Sequence, residues 1–291
     1  NGSANFTYKT NNQSEGKGIG TDKGITVSGS GELDNGWGIS VFHALGDTHA
    51  YSSSVYSFDM GSMGTLSLDS GSGGHGAASI DNMMPTAYEE ADYGLSTAST
   101  DIGGTASGEY IGYSNSFGGA SLVAAYNPDR GGGTQGDGGT AEGSGSAWDI
   151  AATFSPMDGL TLGAGWGQLE NGTSGTADVD EDTIFVKYAT GPITVGYQIS
   201  HDDTNAGTEI EVQAMGLTFN VNDDLSVGLQ RIREDWQRTT TQDVNATYNG
   251  LSAAYSMGNI AIKFVANDGT NLGGVTGTSD EAKELSLSFA F

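Results

Sequence analysis

Apolar and polar residues alternate along most of this chain, most cleanly in its second half. Ile193, Val195, Tyr197 and Ile199 share one parity, and Thr194, Gly196, Gln198 and Ser200 hold the other. Ile260, Ile262 and Phe264 repeat the pattern, as do Leu285, Leu287, Phe289 and Phe291. Side chains on a strand point to alternate faces, so a period of two means strands with one apolar and one polar face. Breaking the sequence at Gly, Asn, Asp and Pro clusters predicts sixteen strands and almost no helix. They fall near 1–10, 23–33, 37–45, 51–60, 63–70, 107–115, 118–127, 147–155, 159–169, 182–190, 192–202, 209–220, 224–234, 243–255, 260–267 and 281–291.

The connections alternate in length. Tight turns are expected at Asp34-Asn35-Gly36, Gly61-Ser62, Ser116-Phe117, Pro156-Met157-Asp158, Gly191-Pro192, Asn222-Asp223 and Gly258-Asn259. Longer stretches rich in Gly, Ser, Thr and Asp lie between them, at 11–22, 46–50, 71–106, 128–146, 170–181, 203–208, 235–242 and 268–280. Short turns on one rim and long loops on the other are the layout of a barrel that crosses an outer membrane. The expected fold is therefore all-β: a sixteen-stranded antiparallel transmembrane β-barrel, one domain over 1–291. Tyr8, Trp37, Tyr51, Tyr126, Trp166, Tyr188 and Tyr255, near strand ends, suit interfacial girdles.

Composition strengthens the membrane reading. Only 36% of the 291 residues are hydrophobic, with 48 glycines and four prolines, which is thin for a water-soluble core of this size. A barrel in lipid needs apolar residues only at alternate strand positions, so low average hydropathy suits it. No apolar run approaches the roughly 18 residues of a spanning helix. No leader pattern follows Asn1, so the sequence reads as a mature chain. The alternative is a soluble secreted or surface-layer β protein dependent on calcium.

Charge narrows the partners. With 36 acidic and 10 basic residues the formal charge is −26. Such a field concentrates cations and opposes nucleic acid, which needs a basic footprint. The absence of cysteine removes disulfides, thiolate metal sites and cysteine nucleophiles. His43, His49, His75 and His201 show no metalloprotease spacing and read as rim or loop residues. His43 shares parity with Trp37, Ile39 and Val41, yet no triad pattern accompanies it, and no enzyme is expected. No cofactor is expected either. The densest carboxylate cluster, around Asp178, Asp180 and Asp182, lacks the glycine and distal glutamate of an EF-hand, leaving a solvated acidic loop or a weak Ca2+ site.

The segment 71–106 is too long to be a simple connection, and mixes Met83, Met84, Pro85, Tyr88 and Tyr93 with acids. In strand number, in having its third long loop as the longest and in its terminal phenylalanine, the chain resembles the general diffusion porins, above all the alphaproteobacterial kind. That resemblance implies a homotrimer in the outer membrane of a Gram-negative bacterium, in contact with lipid and lipopolysaccharide. It also implies a third loop folded inward to narrow the channel, its carboxylates facing a basic wall. Asp81, Glu89, Glu90 and Asp92, with Asp101, become the acidic constriction candidates. Lys187 and Lys263 are the wall candidates by parity. Lys9, Lys23, Arg231 and Arg233 are rim or lumen candidates, the two arginines sharing the parity of Leu225, Val227 and Leu229.

The basic side departs from the family, because no Lys or Arg occurs between Lys23 and Arg130. The expected function is passive diffusion of small hydrophilic solutes and ions, with cations preferred. A substrate-selective channel with a specific lumen site is the second reading.

Overall fold

The computed structural model describes residues 3–11, 18–22, 24–46, 50–71, 73–100, 102, 109–128, 145–170, 178–204 and 207–290. They contain seventeen strand segments. β1 spans Ser3–Asn11, β2 Gly18–Asp22, β3 Ile25–Glu32, β4 Gly38–Leu45, β5 Tyr51–Asp59 and β6 Thr65–Ser70. Next come β7 Glu109–Phe117, β8 Ala120–Asn127, β9 Ala147–Met157, β10 Leu160–Leu169, β11 Val179–Thr190 and β12 Ile193–Thr204. The last five are β13 Thr208–Asn220, β14 Leu225–Arg238, β15 Val244–Met257, β16 Ile260–Thr270 and β17 Ser279–Ala290.

From β3 to β17 each strand pairs antiparallel with the next, and β1 pairs with β17 on one side and β2 on the other. β2 and β3 keep one outward parity through Ile19, Thr21, Ile25 and Val27, so they count as two halves of one strand. That makes sixteen strands round an antiparallel transmembrane barrel. The predicted strand at 23–33 was thus too short, because β2 lies within the stretch 11–22 expected to be a loop. Gly18 and Gly20 leave it too little side chain to show alternation.

Other boundaries shift by a few residues. The turn expected at Ser116-Phe117 falls at Gly118-Gly119, and the strands flanking the later long loops run further outward, β14 to Arg238 and β16 to Thr270. Two register shifts interrupt the ladder, between β4 and β5 at Ala44/Leu45 and between β9 and β10 at Leu160/Leu162. The second lies beside Pro156, which has no N–H to give to a ladder.

Parity assigns the two faces. Ile184 (60% exposed), Leu229 (54%) and Leu285 (49%) stand outward with the other large apolar residues of β10–β17. Exposed to water, such a surface would drive aggregation; in lipid it is the apolar band. The inward face of the same strands is almost fully covered, with Glu234 and Ser286 at 0%. On β3 the inward residues Thr26, Ser28, Ser30 and Glu32 remain exposed. The interior is therefore filled along one side and open along the other. Phe291 falls outside the described residues.

Candidate functional site

What fills the interior is the segment after β6. A 3-10 turn at Gly76–Ile80 packs on β8, β9 and β10, and the chain then runs round the inner wall to β17 and β1. Glycine stands on the wall where the loop passes. A Cβ at Gly196 would lie 2.8 Å from Pro85 Cδ, at Gly216 2.6 Å from Pro85 O, at Gly228 2.7 Å from Ala87 N and at Gly250 2.8 Å from Ala91 Cα. These four neighbours on β12, β13, β14 and β15 form a track that only a bare backbone provides. Ile80, Met84, Ala91 and Leu95 of the loop join Phe185, Ile210, Ile232 and Tyr248 of the wall in one buried apolar cluster. Fully burying a side chain of this kind is worth about 1.5–3 kcal/mol.

A loop buried this way must pair its backbone polar groups, and the wall supplies the partners. Asp149 accepts from Ala77 N at 2.5 Å. Gln198 accepts from Met83 N at 2.9 Å and donates to the carbonyls of Ile80 and Asp81, both at 2.8 Å. Ser252 accepts from Ala87 N, and Gln230 accepts from Ala91 N at 2.6 Å. Asn267 donates to the carbonyls of Glu90 and Tyr93, and Asn11 to that of Gly94. Asp280 and Glu234 accept from the amides of Ser96 and Thr100.

The charged centre of the site lies over β1, β16 and β17. Glu284, 3% exposed, accepts the Tyr88 hydroxyl on one carboxylate oxygen and the Tyr93 hydroxyl on the other, each at 2.8 Å. Lys9 is its cross-strand neighbour on β1 and holds its Nζ 4.9 Å from the Tyr93 ring centre. Lys263 Nζ lies 5.1 Å from the centre of Tyr88. Burial, and then the like charge of Glu284, push the Glu89 carboxyl above its ordinary value; Lys263 and Lys9 partly offset this. Burial, then Glu284, likewise raises both tyrosine hydroxyls.

The open side has a different chemistry. Inward positions on β3–β6 carry Thr26, Ser28, Ser30, Ser40, Phe42, Val55, Ser57, Thr65 and Ser67, with Glu32, Asp59 and Asp69 as their charges. No Lys or Arg lies among the described residues of β2–β8. The open side is thus lined mainly by hydroxyl groups and carboxylates.

The predicted site residues separate accordingly. Asp81 is exposed, and Glu89 and Glu90 are half-buried on the loop. Asp92 departs from expectation: it is 7% exposed and accepts from Ser99 N and Ser99 Oγ, both at 2.8 Å, so it braces the loop's own fold. Asp101 and Lys23 fall outside the described residues. Lys9, Lys187 and Lys263 face inward, Lys187 on the parity of Phe185. Arg231 and Arg233 face outward.

Asp180 and Asp182 also face outward, on a strand rather than in a loop; Asp180 accepts from Gln168, and Asp182 lies 3.0 Å from His201 Nδ1. Exposed Asp178 immediately precedes that strand, and no group of three or more metal-type ligands occurs among the described residues. His75, expected in solvent, packs inside against Gly112, with Nδ1 3.2 Å from the Tyr110 hydroxyl. His49 falls outside the described residues.

Sequence reasoning missed the residues that hold the loop, among them Asp149, Gln198, Gln230, Ser252, Asn267 and Glu284. A signal for three of them was present: glycine two positions before a polar residue on the inward parity recurs as Gly196/Gln198, Gly228/Gln230 and Gly250/Ser252.

Comparison with known proteins places this geometry in a family context. A family model described as Gram-negative porin matches residues 1–288. Among solved structures, a porin refined at 1.8 Å resolution superposes with a TM-score of 0.75 at 15% identity, covering 99% of each chain. An anion-selective porin from Comamonas acidovorans gives 0.69 at 16% identity, covering 99% of this chain and 97% of that one. The trimer form of OmpT of Vibrio cholerae gives 0.66 at 13%, with 99% and 97% covered. A search of curated proteins by sequence finds no match.

Proposed function

This chain belongs to the Gram-negative porin family and is an outer-membrane channel, and on that premise we propose that it passes small hydrophilic solutes and ions by passive diffusion with a preference for cations. The observation carrying the preference is the pairing of an acid-bearing loop with a hydroxyl-lined wall. Asp81 is exposed and Glu89 and Glu90 are half-buried on the loop, Thr26, Ser28, Ser30, Ser40 and Ser57 line the open inward face, and the described residues of β2–β8 carry no Lys or Arg. Lys9 and Lys263 are inward, but each lies over a tyrosine ring beside the buried Glu284, so their charge is partly compensated. A low-dielectric barrel wall focuses the remaining negative potential into the water column. A solved porin of the same fold is anion-selective, so wall charge rather than barrel geometry sets the sign.

The test is a reversal potential across a planar bilayer holding the purified protein in a tenfold potassium chloride gradient. A potential on the potassium side supports the proposal, and one on the chloride side overturns the preference while leaving the channel intact. Trimeric assembly is proposed from resemblance, since a solved relative is a trimer. Detergent-extracted protein should then migrate at trimer mass unboiled and at monomer mass after boiling.

A further inference from the structure

The outer wall carries a pairing of charges that the pore does not use. On β14 the outward positions change abruptly from Leu225, Val227 and Leu229 to Arg231, Arg233 and Asp235, so both arginines stand at the upper edge of the apolar band. Two residues apart on one strand, they share a face at about 7 Å Cα separation. Neither has a carboxylate partner among the described residues, although the chain has 36 acidic side chains and only 10 basic ones.

The acids nearest them are engaged elsewhere. Glu211 accepts from Gln213 Nε2 and faces His201, and Asp268 accepts from Asn249 at 3.0 Å. Asp235 lies one outward position further from the band. Arg233 is instead oriented by a neutral group, with Nε and Nη2 donating to Asn245 Oδ1 at 3.2 and 2.8 Å. That leaves its other guanidinium hydrogens, and all those of Arg231, directed to the surroundings.

We propose that Arg231 and Arg233 form a docking site for the phosphate group of an anionic membrane lipid whose chains lie on Leu229 and the neighbouring apolar outward residues. The argument is complementarity of charge at a fixed depth. Guanidinium groups match phosphate oxygens in a planar, forked geometry, and a phosphate at a membrane surface sits where an outward strand passes from apolar to polar. Met215 and Gln213 make the same change on the adjoining β13, and Leu251 and Asn249 make it on β15. A lipid therefore meets apolar residues below and polar residues above over three strands, with the two arginines of β14 as the charged donors.

The test is native mass spectrometry of the detergent-purified full chain titrated with dioleoylphosphatidylglycerol, with dioleoylphosphatidylcholine and inorganic phosphate as separate arms. The expected result is that the double variant Arg231→Gln, Arg233→Gln binds the anionic lipid at least about tenfold more weakly than the parent. Lys283→Gln, outward on β17, should leave the affinity unchanged. The double Arg→Lys variant, which keeps the charge, should retain part of the binding. Folding of each variant is checked by its unboiled migration, and single-channel conductance should be unaltered, which separates this site from the pore.

Equal lipid affinity in parent and double Gln variant would overturn the proposal. Displacement of the lipid by inorganic phosphate would replace it with a small-anion site. Loss of subunit association with lipid binding intact would make the arginines a protein contact instead.

Discussion

Replacing Gly216 by alanine tests whether the loop rests on the wall as described. The new methyl would start 2.6 Å from Pro85 O and 2.8 Å from Pro85 N. Both are backbone atoms of the loop, so no side-chain rotation relieves the contact. Restoring an ordinary separation moves the loop inward by about 0.8 Å, toward the open wall, or strains β13. Overpacking of this kind costs about 1–3 kcal/mol, comparable to the hydrogen bonds that Gln198, Ser252 and Gln230 make to residues 80–91 at about 1 kcal/mol each. The expected readouts are a lower single-channel conductance and a lower midpoint for heat conversion of the unboiled form. Gly216→Val should exaggerate both. Gly29→Ala is the control, since nothing lies within 4 Å of a Cβ there. Unchanged conductance and midpoint in both Gly216 variants would refute the idea that bare backbone on β12–β15 sets the position of the loop.

Glu284→Gln keeps the shape but removes the charge that accepts from Tyr88 and Tyr93; the variant should lose roughly 1.5–3 kcal/mol of loop docking, seen as noisier open-channel current. It should also shift the reversal potential toward anions, because Lys9 and Lys263 lose a neighbouring negative charge. Glu89 has its carboxyl pushed up, so its neutral form is favoured and it loses charge on acidification before an ordinary glutamate does. Cation preference should therefore begin to weaken at a higher pH than an ordinary glutamate would give, and Glu89→Gln should flatten that part of the profile measured by reversal potential. Asp92→Asn should perturb the loop's stability rather than its selectivity, since the Asp92 carboxylate accepts from Ser99 in a buried turn; a selectivity change as large as that of Glu89→Gln would contradict this.

The outer face of the barrel was legible in the sequence because lipid imposes one rule on every strand. Ile193, Val195, Tyr197 and Ile199 can alternate with polar residues only if one side meets hydrocarbon, and the structure keeps that parity. The inner face obeys no such rule. Gln198 looks the same in sequence whether it meets water or clasps the loop backbone, and the difference lies in Ile80, Asp81 and Met83, the last 115 residues away. Gly216 is one among 48 glycines, and nothing local marks it as a rail for Pro85. Asp92 and Glu89 sit three residues apart, yet one is turned into the loop's own fold and the other lies half-buried beside Glu284, Lys263 and Lys9. Local chemistry gave the candidates, and long-range packing sorted them.

The docked loop also orders the assembly of the channel in time. Most of its anchors lie on strands that follow it in the chain, with Tyr93 and Glu284 separated by 191 residues and Tyr88 and Glu284 by 196. Loop closure over such spans is costly until the intervening wall exists. The narrow passage therefore cannot form while the sheet is still growing, and the carboxylate that secures it arrives on the closing strand. Selectivity is the last property this barrel acquires, and an incompletely zipped wall would be a hole without a filter.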